Sequence, residues 1–134
     1  KFKGLIDGVL AVPTKVRNNV KKLIWIIDWK TSAWGWSPQK KSDPMTQSQI
    51  ILYKHFWSVK YGVDPKDIRC GFVILKKTGK GELCELLPVS VGPVATSRSL
   101  KILNNTISGM KKGIVIKNRN SCKYCDFYQT EYCK

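Results

Sequence analysis

The sequence predicts an α/β fold, a central mixed β-sheet flanked by helices. Three observations lead there. The segments run strand, strand, helix, strand, strand, helix, an order that belongs to layered α/β architectures. The run Leu23-Ile24-Trp25-Ile26-Ile27 is apolar on both strand faces, as expected of a strand covered on both sides. A long helical segment is punctuated at both ends, by Asp43-Pro44 where it starts and by Gly62 where it stops.

Taken in order, residues 2–12 read as a first strand and residues 20–30 as a second. Pro13 and Asn18-Asn19 lie between them and mark a turn, so the pair forms a hairpin. Residues 31–42 read as a loop carrying Trp34, Gly35 and Trp36. Asp43 then caps a helix whose first residue is Pro44, and Gly62 supplies its left-handed stop. Beyond Asp64-Pro65, residues 68–77 and 82–89 read as two strands around Thr78-Gly79-Lys80-Gly81. A second helix covers about residues 97–112, with Leu100, Leu103, Ile107 and Met110 on one face and Gly113 at its end. Phe56 and Trp57 are expected in the core, as are Cys70 and Cys84 within their strands. Residues 120–134 form a cysteine-containing C-terminal segment.

At 134 residues the chain is long enough for one hydrophobic core and too short for two, so a single domain over residues 1–134 is expected. The sequence opens on Lys1-Phe2-Lys3 in what already reads as a strand, which suggests that an N-terminal part is missing. No apolar run reaches membrane-spanning length, and no membrane partner is expected. Twenty-four Lys and Arg against nine Asp and Glu give a net charge of +15. A field of that sign attracts polyanions, above all nucleic acid, with affinity that falls as salt rises; a solubility surface, an RNA-binding protein or a membrane-surface protein is the alternative. The five cysteines are odd in number and unevenly spaced. That pattern fits a reducing compartment with a C-terminal metal knuckle better than a secreted disulfide framework, and a cytoplasmic location is expected.

With so few carboxylates, their positions matter. Asp7 follows Gly4-Leu5-Ile6, and Asp28 ends the apolar run of the second strand. A carboxylate at the end of an apolar strand is costly to desolvate unless a cation or hydrogen bonds compensate. The strand period of two puts Asp28 and Lys30 on one face, with Trp29 on the other. A hairpin would bring Asp7 beside Asp28, and hard oxygen ligands of this kind suit Mg2+ or Mn2+. Such an ion can polarise a phosphodiester, and Lys30 can stabilise the charge that builds on phosphorus. A salt-bridged Asp28–Lys30 pair at a strand end is the plain alternative. Gln49 and Tyr53, four residues apart, share a helical face. His55 is the single histidine, and no Gly-rich phosphate loop is present.

Gly4-Leu5-Ile6-Asp7, then Ile26-Ile27-Asp28-Trp29-Lys30-Thr31, then Gln49-Ile50-Ile51-Leu52-Tyr53 resemble, in order, the motifs of the PD-(D/E)XK nuclease superfamily. The branch they most resemble is the RecB-like one, which includes phage and bacterial exonucleases. The resemblance covers residues 4–53. It implies a restriction-endonuclease-like core, Asp7 and Asp28 as metal ligands together with the backbone carbonyl of Trp29, and Lys30 as the catalytic lysine. It further implies that Gln49 and Tyr53 support the site, and that an upstream helix with a His or Glu precedes it. DNA recombination, repair or phage DNA metabolism, with a helicase or recombination protein as partner, is the setting such enzymes imply.

Cys122, Cys125 and Cys133 give the spacing C-x2-C-x7-C, one thiolate short of a closed tetrahedral site. Some RecB-like nucleases hold an iron–sulfur cluster with three C-terminal cysteines and one upstream, so the resemblance adds a 4Fe–4S cluster to Zn2+ and to no metal as readings of this segment. Trp34 and Trp36, beside Lys40 and Lys41, would stack on unpaired bases or else pack under their loop. Lys76-Lys77, Lys80, Lys111-Lys112, Lys117 and Arg119 read as phosphate contacts or solvated faces. A DNA nuclease, most simply an exonuclease, leads these readings; a non-catalytic basic nucleic-acid-binding module and an endonuclease on the same fold compete with it.

Overall fold

The computed structural model describes residues 3–16, 19–78, 81–114, 122 and 125–133, with backbone alone at 16 and 19. Its elements are β1 (Gly8–Val16), β2 (Asn19–Ser32), α1 (Pro38–Ser42), α2 (Pro44–Tyr61), a 3-10 turn (Pro65–Asp67), β3 (Ile68–Lys76), β4 (Cys84–Pro88) and α3 (Pro93–Lys111). The four strands form one sheet in the order β1-β2-β3-β4. The fold is therefore α/β with a mixed sheet. β1 pairs antiparallel to β2 from Gly8↔Ile27 to Val16↔Asn19, β2 pairs parallel to β3 from Ile24↔Ile68 to Ser32↔Lys76, and β4 returns antiparallel to β3. A parallel pair needs a crossover, and α2 supplies it.

Three boundaries differ from the sequence reading. The first strand starts at Gly8 rather than near residue 2 and runs through Pro13 to Val16, because every residue from 8 to 16 has a partner on β2. The segment read as loop over 31–42 is strand up to Ser32 and contains the short helix α1, capped by Ser37, whose side chain accepts from the Lys40 amide. α3 begins at Pro93, ahead of the expected start, since proline suits the first turn of a helix. The bounds of α2 agree with its punctuation. Asp43 Oδ2 accepts from the Thr46 amide at 2.8 Å, and Gly62 adopts a left-handed φ of 65°.

α2 lies on the sheet face that carries Ile26, Ile68, Cys70, Phe72 and Ile74, and Ile50 and Ile51 complete that core. Residues 70–74 are buried on both sides of β3, as an inner strand demands. Leu10, Trp29, Leu75 and Leu86, on the alternate face, are exposed. Ser99 of α3 donates to Ser48 of α2 at 3.1 Å in a buried contact. Gly71 stands opposite Pro88, where a Cβ would come within 2.7 Å of the Leu87 carbonyl oxygen.

Two expected core residues prove exposed. Cys84 opens β4, an edge strand whose first residue faces solvent, and Phe56 is 39% exposed on the outer side of α2. Met110 is exposed too, so only Leu100, Leu103 and Ile107 of the expected apolar face are partly covered.

The chain divides into two compact units, residues 1–101 and 102–134. Within the second, Gly113 closes α3 with φ 67°, and the Ile114 amide reaches back to the Gly109 carbonyl at 2.9 Å. The Cys125 amide bonds the Cys122 carbonyl at 3.0 Å, and turns join Tyr128 to Cys125 and Cys133 to Thr130. Lys80, Lys117 and Arg119 lie outside the described residues.

Candidate active site

The site is built where β1, β2 and α2 meet. The antiparallel register, continued one step beyond Gly8↔Ile27, sets Asp7 opposite Asp28. Asp7 Oδ2 accepts the backbone amide of Trp29 at 2.9 Å, so the side chain of Asp7 takes over the next ladder position where strand pairing has stopped. Asp28 pairs in register with Phe72 and Lys30 with Ile74, which turns both side chains onto the α2 face at the margin of the core.

Asp28 is 2% exposed. Burial of a carboxylate to that degree is tolerable only with a charge partner and hydrogen bonds. Gln49 Nε2 donates to Asp28 Oδ1 at 3.1 Å and also lies 3.1 Å from Tyr53 Oη. Its Oε1 accepts from Lys30 Nζ at 3.2 Å. The reverse amide orientation would face oxygen to carboxylate and nitrogen to ammonium, so the network fixes the side chain one way round.

Lys30 Nζ stands 2.7 Å from Asp28 Oδ2, an ion-pair distance whose angle falls outside hydrogen-bond geometry. Asp28 Oδ2 is thereby the one buried side-chain polar atom without a hydrogen-bond partner among the described residues. Lys30 itself is partly exposed. Two carboxylates and one ammonium make this a locally acidic spot on a strongly basic chain.

Compared with known proteins, the chain matches no family model, no curated protein and no solved structure. The chemistry of the site is accordingly argued from its own geometry. A buried carboxylate paired with a partly exposed ammonium, with the Asp7 carboxylate on the amide of the next residue, offers hard oxygen donors of the kind a divalent cation takes. No group of three or more His, Cys, Asp or Glu that could hold a metal occurs among the described residues, so protein side chains would supply two carboxylate ligands, with backbone and water left to complete the shell. Cys122, Cys125 and Cys133 are free thiols and form no such group either.

The loop residues divide. Trp34 is 79% exposed, whereas Trp36 packs on Phe72 with ring centroids 5.1 Å apart. Lys40 Nζ sits 5.7 Å from the Trp36 ring centre. Lys41 is partly buried and paired with Glu85, which also receives Lys76 at 3.3 Å; the Lys41 hydrogen bond holds the Glu85 carboxyl below its usual range. Of the four residues read as nucleic-acid contacts, Trp34 and Lys40 face outward and the other two are engaged by the fold.

Sequence reasoning placed Gly4 in the first motif but gave it no role. A Cβ there would lie 2.8 Å from Tyr53 Cε1, so the bare backbone of residue 4 seats the ring whose hydroxyl meets Gln49. It also overlooked Lys54, 9% exposed on α2, whose Nζ reaches the Val91 carbonyl at 3.4 Å and whose pKa is lowered by desolvation. A lysine at the middle of an amphipathic helix resembles any solvated residue until the fold covers it.

Proposed function

We propose that the chain is a metal-dependent nuclease that hydrolyses DNA phosphodiester bonds, on a restriction-endonuclease-like core of the RecB-like PD-(D/E)XK type. One observation carries this reading. A buried carboxylate, Asp28, lies 2.7 Å from the Lys30 ammonium, and the Asp7 carboxylate accepts the amide of the next residue, Trp29. The mixed sheet with α2 as crossover helix supports it, as does the basic charge of the chain.

Asp7 and Asp28 would hold Mg2+ or Mn2+, with the Trp29 carbonyl as a further oxygen donor. Such an ion polarises a phosphoryl oxygen and lowers the pKa of a bound water. Lys30 offsets the negative charge that accumulates on the phosphate during attack. Gln49 keeps both Asp28 and Lys30 in place, and Tyr53 steadies Gln49. Gln49 and Tyr53 are therefore positioning residues. Trp34 and Lys40 would contact the strand beside the scissile bond.

Labelled linear DNA incubated with Mg2+, Mn2+ or EDTA tests this. Metal-dependent cleavage is expected, with a loss of about 100-fold or more in rate in Lys30→Ala, the scale on which removal of one electrostatic stabiliser acts. Asp28→Asn is expected to abolish cleavage while DNA is still bound. Closed circular DNA should survive if the enzyme needs an end. The closed Lys30–Asp28 ion pair favours a second reading, a basic nucleic-acid-binding module with a structural pair. Salt-sensitive binding without cleavage under any metal condition would establish that module instead.

A further inference from the structure

A groove of about 460 Å³ opens beside the candidate site. Tyr53, Phe56, Trp57 and Tyr61 of α2 form one wall, and Leu5 and Ile6 form the other. Both walls lead into the site. Ile6 precedes Asp7, and Tyr53 meets Gln49 through its hydroxyl. From Tyr53 to Tyr61 the groove follows about 12 Å of helix. Leu5, Val59 and Tyr61 are largely exposed along it, an apolar surface that is costly to leave wet.

We infer that this groove receives an unpaired nucleobase of the DNA strand whose phosphate lies at Asp7 and Asp28. The inference rests on the nuclease reading and names its substrate class, single-stranded ends. The rings are already braced, with the centroids of Trp57 and Tyr61 4.2 Å apart, so little ordering remains for a ligand to impose. Lys60 is the one charged residue of the lining, and its Nζ sits 5.1 Å from the Tyr61 ring centre. A cation at the rim with no acid among the lining residues matches a base flanked by phosphates. A duplex keeps its bases stacked inside and could not reach these rings, whereas a single strand presents them.

The full chain, with Ca2+ in place of Mg2+ so that a hard cation bridges the carboxylates and the phosphate while cleavage is suppressed, is titrated against labelled oligothymidylate in which a single abasic residue is walked in from each end. One abasic position is expected to weaken binding about fivefold or more, the range of a lost base–aromatic stack. Phe56→Ala and Tyr61→Ala should each weaken the intact strand similarly and add nothing once that base is absent, while Tyr61→Phe binds normally. Equal affinity for every abasic strand overturns the inference. So does an equal loss by the alanine variants on intact and abasic strands, or self-association that the same variants abolish, which would assign the groove to a second copy. Cleavage assays keep the two ideas apart. Base-dependent binding without cleavage would refute the nuclease alone, and cleavage without base dependence would refute the groove alone.

Discussion

At the scale of single residues, the network around Asp28 has one keystone. Gln49 touches Asp28, Lys30 and Tyr53 through the two ends of one amide. Gln49→Leu keeps the volume and removes both ends, so Asp28 Oδ1 is buried without its donor. The expected cost is about 1–3 kcal/mol, the penalty of an unsatisfied buried polar group, read as a lower urea midpoint with an unchanged slope. Lys54 gives the second residue-scale prediction. Desolvation lowers its pKa below the ordinary 10.5, so the folded protein releases this proton before the unfolded chain does. The contribution is complete above 10.5 and is lost as pH falls through the lowered value. Lys54→Met should therefore be more stable than the parent at pH 7, with the gap narrowing as pH rises. Urea unfolding followed from pH 7 towards 10.5 measures this. Above 9.0 the Cys70 thiol, which burial pushes up to about 11, acts with the opposite sign, because its contribution is present below 9.0 and disappears towards 11. Asp7, Asp28 and Lys30 were legible because charge at the end of an apolar run is conspicuous. Gly4 and Lys54 were not, since each owes its role to a neighbour distant in sequence, Tyr53 in one case and Val91 in the other.

At the scale of elements, the β3–β4 ladder depends on a missing side chain. Gly71→Ala would press a methyl group to 2.7 Å from the Leu87 carbonyl oxygen, and backbone rather than a rotamer would have to move. A loss of about 1–3 kcal/mol is expected, the usual range for overpacking, measured by denaturant unfolding. α2 was readable at both ends because caps are local chemistry. Asp43 and Gly62 do their work within three or four residues of themselves. The start of β1 was not readable, because apolar residues before Asp7 look like strand whether or not a partner continues beside them. Cys84 and Phe56 failed as core residues for a related reason. Composition ranks a residue type, and only the position of β4 at the sheet edge or of residue 56 on the outer side of α2 decides which way it points.

At the scale of the whole molecule, a net charge of +15 stands against a site that holds two carboxylates and one ammonium. Binding to any DNA should weaken linearly in a plot of log affinity against log salt, with a slope of about −0.7 to −0.9 per phosphate contacted. Titration between 50 mM and 200 mM salt, repeated with Asp28→Asn, separates that general attraction from the site. A steeper slope in the variant would mean that the carboxylate normally repels a phosphate which a cation must bridge. The layout of the sheet, finally, orders events in time. The β1–β2 hairpin is made of near neighbours and can close within microseconds, which sets Asp7 beside Asp28 early. Gln49 and Tyr53 arrive only when α2 docks and the long excursion from Ser32 to Ile68 completes the parallel pair. A newly folding chain thus passes through an interval in which two carboxylates face each other without the amide that later restrains one of them. During that interval a divalent cation at the proposed site would ease the repulsion between the two carboxylates and so act as a folding aid.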